Sequence, residues 1–265
     1  MAAIRRARAV GHIHDGQYIE PMLATTRPRD TRAAVSRRWP SLCAVCRAWG
    51  EGRVCAECLA RFAPASPRCR CCALPVPAGV FVCGVCLAAP PPFDAAFARV
   101  DYGFPWDRLI PAFKFHAALD LAPVFAEAIV EARAGCAGDA RPALVVPVPL
   151  SDARLRERGY NQAWELARRA ARRLGCAADA RLVLRVRDTP HQLALPPGER
   201  AGNVRGAFAV EPRRLGEVRE RTIAVVDNVM TTGSTVAELA RVLKLAGAAR
   251  VEVWVVARTP RPGDA

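Results

Sequence analysis

Lysine is almost missing from this basic chain. Among 265 residues with a formal net charge of +14, Lys114 and Lys244 are the only lysines, and arginine carries the rest of the positive charge. No lysine follows Gly233 in the phosphate-sized loop near the C-terminus, which excludes a nucleotide-binding loop of the Gly-Lys-Ser/Thr kind. The sequence also lacks a clean apolar run of membrane-spanning length, and its N-terminus lacks an apolar core followed by a cleavage site. It therefore predicts neither a membrane span nor a secretory signal, and the expected location is cytoplasmic. Around the cysteine-rich stretch only Trp39, Trp49, Phe62 and Phe81 are aromatic and some of them must fill a small core, so base stacking is expected to contribute less than charge to any binding of nucleic acid.

What is present is concentrated in a few places. The run Ile223 to Thr235, IAVVDNVMTTGST, joins a buried strand, an acidic turn and a small-residue loop. Ile223, Ala224, Val225 and Val226 suit a central parallel strand, with Asp227 expected at its end. Thr231, Thr232, Gly233, Ser234 and Thr235 then supply hydroxyls and backbone N–H groups immediately before a helix, an arrangement that holds a phosphate. Val236, Leu239, Ala240, Leu243 and Ala246 give the helical repeat, Gly247 the stop, and Val251 to Ala257 another strand. In an open α/β sheet a ligand sits at the carboxyl ends of such strands.

Eight cysteines form four C-x-x-C pairs: Cys43/Cys46, Cys55/Cys58, Cys69/Cys72 and Cys83/Cys86. Two such turns complete one tetrahedral thiolate site, so four predict two structural zinc sites. A disulfide framework would need an oxidising compartment, and a redox pair would not need four copies. Cys71 lies inside the third pair and can replace Cys72 if the turn demands it. Cys136 and Cys176 read as small core residues. A module of this size buries little apolar surface, so metal ligation is expected to supply most of its folding energy. Pro90 to Pro92 reads as a stiff linker separating it from an α/β domain.

Within that domain, Phe97 to Gly103 reads as a strand, Leu119 to Ala132 as a helix, and Ala143 to Val148 as a buried strand ending in a Pro147-Val148-Pro149-Leu150-Ser151 turn. Arg154, Arg156 and Arg158 read as a short cationic loop before a helix that ends at Leu174 and Gly175. Thr189 to Gln192 and Arg200 to Phe208 read as a long lid or binding loop, which carries His191 and Glu199. The first forty residues hold many arginines without sustained periodicity and are expected to be a disordered basic tail. The expected domains are thus 1–40, tail; 41–89, cysteine module; and 93–260, α/β domain.

The run ending in TTGST resembles the phosphoribosyl-pyrophosphate (PRPP) motif of type I phosphoribosyltransferases. That resemblance assigns Asp227 and its neighbour Asn228 to the ribose and reaction centre, and Thr231 to Thr235 to the 5′-phosphate. Pro149 and Leu150 fall on the turn that holds pyrophosphate, and the ligand would come with Mg²⁺. The family usually has two adjacent acids, and here Asn228 replaces the second. Asn can still hydrogen-bond a hydroxyl but brings no charge. In order and spacing, the four cysteine pairs, Lys114-Phe115, PVPL at 147 to 150, RERGYNQ at 156 to 162, TPHQ at 189 to 192, Arg200 with Asn203 and Phe208, and DNVMTTGST resemble the ComF family from Cys43 to about Thr259.

Membership would imply a double zinc ribbon on a type I phosphoribosyltransferase-like parallel sheet flanked by helices, with Arg156, Arg158 and Arg200 among the ligand-binding residues. It would also imply a link to competence and the cytosolic handling of incoming single-stranded DNA. An active transferase with an unidentified acceptor and a non-catalytic adaptor are the alternatives. Arg47, Arg53, Arg61, Arg68 and Arg70 of the ribbons, with the tail, are expected to engage single-stranded DNA, a DNA-uptake protein being the other candidate partner.

Overall fold

The computed structural model describes residues 40–135, 141–187 and 204–261. The tail up to residue 39, the TPHQ segment, His191, Glu199, Arg200, Asn203 and Cys136 lie outside the described residues.

Two cysteine modules built on one plan open the described chain. In the first, β1 (Pro40–Leu42) and β2 (Trp49–Glu51) pair antiparallel, Cys43 and Cys46 lie in the turn between them, and Cys55 caps α1 (Ala56–Phe62). In the second, a single antiparallel bridge joins Arg68 to Pro75 around Cys69 and Cys72, and Cys83 caps α2 (Gly84–Ala88). The residue after each hairpin pair is left-handed, Arg47 at φ 67° and Ala73 at φ 58°. Side-chain-bearing residues reach that region only at a cost, so the turns are held by what they surround.

The remaining strands are β3 (Ala95–Asp101), β4 (Leu144–Pro147), β5 (Ala177–Ala178), β6 (Val183–Arg185), β7 (Phe208–Val210), β8 (Thr222–Met230) and β9 (Arg250–Arg258). A five-stranded parallel sheet has the order β3-β9-β8-β4-β5, and β6 and β7 form a separate antiparallel pair. Ile223 to Val226 on β8 and most of Val251 to Ala257 on β9 are fully buried. Such buried runs belong to central strands covered on both faces, and the one charged residue in the β9 run, Glu252, is met by Arg133 and the Trp254 indole. Pro147 is the last rung opposite Val226. Because β5 pairs only with Leu144 and Val145, the missing proline N–H deprives no neighbour of a bond.

The helices are α3 (Trp106–Phe115), α4 (Ala122–Ala134), α5 (Asp152–Arg158), α6 (Gln162–Leu174) and α7 (Ser234–Leu245). Instead of the single helix expected from Leu119, a 3₁₀ turn over Leu119–Leu121 leads into α4. Trp106, Ile110, Phe113, Phe125, Ile129 and Leu166 cover one sheet face, while Val236, Leu239 and Leu243 of α7 with Phe208 cover the other. On α6 the buried positions are mostly alanine (Ala163, Ala167, Ala170, Ala171), which lets the helix approach the sheet closely.

The cysteine modules do not stand apart behind a linker. Cys43, Val54, Cys58 and Ala63 belong to the same hydrophobic cluster as Phe97, Trp106 and Phe125. Trp106 Nε1 donates to the Phe62 carbonyl at 2.8 Å, and the Ala96 N–H on edge strand β3 donates to the Arg70 carbonyl at 2.9 Å. Arg53–Asp120 at 2.6 Å and Arg68–Asp101 at 2.8 Å add ion pairs. The first module, too small for its own core, completes it on the neighbouring layer, whereas the second gathers Cys69, Cys72, Leu74 and Cys86 in a small cluster of its own.

Candidate ligand cleft and metal centres

A cleft of about 250 Å³ opens at the carboxyl ends of β4 and β8, where α/β sheets bind ligands. Its walls bring together Asp227, Thr231 to Thr235, Pro149 and Leu150, with Lys114 from α3 and Arg154 and Arg158 from α5. Strand β8 does not stop at Asp227 as expected. It stays paired with β9 through Met230, opposite Arg258, so the phosphate-sized loop springs from a rigid rung.

Arg154, Arg156 and Arg158 are not on a loop. They lie on α5, whose first turn is capped by Ser151 accepting from the Arg154 N–H and which ends at Gly159 with φ 76°. Helical spacing then sorts the arginines, since positions four apart share a face. Arg154 and Arg158 turn toward the cleft, whereas Arg156 is exposed and does not line it. The Arg158 guanidinium sits over the Phe115 ring, 4.8 Å from its centroid. The next residues are braces. Tyr160 donates its hydroxyl to the Phe113 carbonyl, and Asn161 donates to the Val148 carbonyl at 3.1 Å while capping α6 through the Ala163 and Trp164 N–H groups.

Gly233 has φ 82° and precedes the first residue of α7, so Ser234 and Thr235 form the first helical turn rather than a loop. The Thr232 and Ser234 hydroxyl oxygens are 2.8 Å apart. A helix N-terminus and small hydroxylated side chains thereby face one cavity.

Among the described residues, Asp227 is the only carboxylate on the cleft wall, against Lys114, Arg154, Arg158 and Arg185. Burial raises its carboxyl above the ordinary range, and Lys114, the Asn228 N–H and Arg158 counteract that. The Asn228 N–H donates to Asp227 Oδ1 at 2.7 Å. Lys114 is pushed down by burial, with Asp227 opposing the shift and Arg158 adding to it. Asn228 does not line the cleft. It is 1% exposed, and neither of its side-chain polar atoms has a hydrogen-bond partner among the described residues.

Of the cationic wall residues, Arg154 and Arg158 come from the arginine run expected to hold an anion, whereas Lys114 and Arg185 fall outside the ligand-binding residues expected from the sequence. Lys114 carries a signal, being one of two lysines in an arginine-rich chain. Arg185 is on β6, far from the motif in sequence, and nothing local marks it.

Each cysteine module gathers four thiols within 4.8 Å of one another: Cys43, Cys46, Cys55 and Cys58, then Cys69, Cys72, Cys83 and Cys86. Cys72 rather than Cys71 completes the second group. Cys46 and Cys55 Sγ are 3.7 Å apart, as are Cys72 and Cys83. A tetrahedron with metal–sulfur bonds of about 2.3 Å has edges of about 3.8 Å, so both donor sets fit zinc. The Val45 and Cys55 N–H groups approach Cys43 Sγ at 3.4 Å, and the Cys83 N–H approaches Cys69 Sγ at 3.3 Å. Burial pushes the Cys43 thiol up, but N–H donors from Cys55, Cys46 and Val45 bring it down to about 6 overall. Burial drives Cys58 up to about 12, with its neighbouring thiols adding to the shift. Four thiols this close cannot all ionise without a cation among them.

No helix among the described residues is long and apolar enough to cross a membrane. No family model matches the chain. Among solved structures it resembles an allosteric regulatory enzyme of purine biosynthesis (TM-score 0.32, 18% identity, 51% of this chain and 25% of that one). It also resembles TT1426 from Thermus thermophilus (TM-score 0.29, 19% identity, 54% and 83%). Neither superposition is close enough to carry an argument. Sequence relatives are nearer. DNA utilization protein YhgH of Salmonella typhimurium is 36% identical over 83% of this chain and 98% of its own length, and YhgH of Escherichia coli K12 is 35% identical over the same shares. Competence protein F of Haemophilus influenzae is 33% identical over 66% and 78%. With one-third identity along nearly the whole of YhgH and the paired cysteine modules ahead of a parallel sheet, the chain belongs to the ComF family of competence protein F and YhgH.

Proposed function

We propose that the cleft binds PRPP or a closely related ribose phosphate, with zinc in both cysteine modules as structural metal. The observation that carries this reading is the convergence of Asp227 and Thr231 to Thr235 on one cavity whose other charged wall residues, among those described, are all cations. In it, the Asp227 carboxylate accepts from ribose hydroxyls, the N-terminus of α7 and the Thr and Ser hydroxyls hold the 5′-phosphate, and the Pro149-Leu150 turn flanks the pyrophosphate. Lys114 and Arg158 balance the pyrophosphate charge. Mg²⁺ fits as an ion brought by the ligand: one carboxylate cannot build an all-protein cage, whereas magnesium is commonly held by one or two carboxylates plus phosphates. Binding is favoured over transfer because the second acid is replaced by Asn228, buried away from the cleft. Calorimetric titration of the zinc-loaded protein with PRPP and Mg²⁺ tests the reading, and an assay for released pyrophosphate separates binding from transfer.

A nucleic-acid role is supported by a second cavity, about 910 Å³, between the second cysteine module and the edge of β3. Arg68, Arg70, Arg99, Arg250 and Phe81 line it together with Asp94 and Glu131, and Arg99 is paired with Glu131 at 2.9 Å, so Arg70 and Phe81 are the groups that carry the argument. The Arg70 guanidinium lies 4.4 Å from the Phe81 centroid, and Phe81 is 60% exposed, which is a platform for a stacked base. The relatives carry the names DNA utilization protein and competence protein F, and single-stranded DNA of the cytoplasm is the partner we assign to this groove. Binding that weakens steeply with salt and drops on Phe81→Ala would support it; salt-independent binding, or none at low salt, would point to a protein partner.

A further inference from the structure

We infer that Arg258 is a positioning residue that couples the second cysteine site to the phosphate-sized loop, so that metal binding and ligand binding reinforce each other. Arg258 ends β9 and is 7% exposed. Its Nε donates to the Cys72 carbonyl at 2.9 Å. Its Nη1 donates to the Met230 carbonyl at 2.8 Å, to the Thr259 carbonyl at 2.9 Å, and to the Thr231 carbonyl. One buried guanidinium therefore grips the backbone of a metal-ligating cysteine on one side and the first residues of the loop on the other.

The geometry gives this grip a consequence. A planar guanidinium holds its donors in a fixed fork, so a shift of the Cys72 carbonyl re-aims the bonds to Met230 and Thr231. Cys72 Sγ belongs to the second thiol group, and metal ligation fixes the turn that presents its carbonyl. Met230 and Thr231 in turn set where Thr232, Gly233 and Ser234 face the cleft. The first thiol group packs instead with α3 and α4 and has no bond to Arg258 among the described residues. Coupling is thus assigned to one metal site of the two.

Linkage makes the coupling reciprocal: if the metal strengthens ligand binding, the ligand strengthens metal binding by the same factor. The inference rests on the PRPP reading, and the test keeps the two apart. Full-length protein carrying two zinc ions is equilibrated with a competing chelator, with and without saturating PRPP and Mg²⁺. One of the two zinc ions is expected to be held about tenfold more tightly with PRPP, and the effect should vanish in Arg258→Lys, which keeps the charge but not the fork. Zinc affinities unmoved by PRPP in a protein that binds PRPP would overturn the coupling, and persistence of the shift in Arg258→Lys would remove Arg258 from it. If the protein does not bind PRPP, the reading of the cleft fails instead. Hydrogen exchange then decides the coupling alone: partial zinc removal should speed exchange at Thr231 to Ser234 together with Cys69 to Leu74, and unchanged exchange in the loop would contradict it. The wild-type arms suffice if Arg258→Lys does not fold.

Discussion

Trp106 donates its indole N–H to the Phe62 carbonyl at 2.8 Å, so the helix that ends at Phe115, one residue past Lys114, is fastened to the first cysteine module. With Val54 and Cys58 in the same cluster as Phe97 and Phe125, the module and the sheet layer form one packing unit. Removing a metal ligand should then be felt by both. Cys55→Ser is expected to lower a single melting transition followed by far-ultraviolet circular dichroism. Two separate transitions, with the second unmoved, would show independent cores. Trp106→Phe should cost about 1 kcal/mol through the lost hydrogen bond, measured by denaturant unfolding.

Gly233 is required for its conformation more than for space. A Cβ there would meet Met230 Sδ at 3.5 Å, an ordinary contact, whereas φ is +82°. Gly233→Ala should therefore cost about 1–2 kcal/mol of stability. Gly233→Val should cost more and abolish detectable PRPP binding, because a β-branched residue resists that region further. Unchanged affinity in the valine variant would take the loop out of the site.

Desolvation of the half-buried Asp227 raises its carboxyl above the usual range, and Lys114 is the foremost influence pulling it back. Ribose recognition uses the ionised form. Affinity for PRPP is expected to fall on acidification as the pH passes down through this raised value, before ordinary exposed carboxylates near about 4 protonate. Lys114→Met should move the midpoint of that loss to still higher pH. A midpoint that does not move would show that the two groups are not coupled.

Asn228→Asp would place a carboxyl in a position 1% exposed. Its folded-state pKa should be raised by desolvation, so the folded form binds more protons than the unfolded chain between about 3.9 and that raised value. Stability should consequently fall as pH rises through that window, leaving the variant less stable than the parent at neutral pH and close to it in acid. Equal stability at pH 7 would mean that a cation or donor reaches the site.

The elements most legible in the sequence are those whose signal is local. The four-residue apolar run before Asp227, the helical repeat from Val236 to Leu243 and the four cysteine pairs each stand in the structure, as the sheet, α7 and the two thiol groups. Ends and partners are harder to read. Strand β8 runs on to Met230 because β9 pairs with it beyond Asp227, a tertiary effect that residues 227 to 230 do not announce. The stretch from Arg154 to Arg158 is too short to show a helical repeat and reads as a loop, yet Ser151 caps a short helix that turns Arg156 away from the cleft. The Arg258–Cys72 bond joins positions 186 residues apart, and no pattern along the chain encodes it. Asn228 departs from the family motif in a way that is visible at once, but its burial is not.

Isothermal calorimetry of the zinc-loaded, full-length protein with PRPP and Mg²⁺, run beside Asp227→Ala, decides whether the cleft is a ribose-phosphate site. Saturable binding of one PRPP per chain is expected, weakened in Asp227→Ala by about 1.5–3 kcal/mol, the range for a lost hydrogen bond to a charged group. No saturable heat with the parent protein, or equal affinity in the variant, would contradict the ribose-phosphate reading.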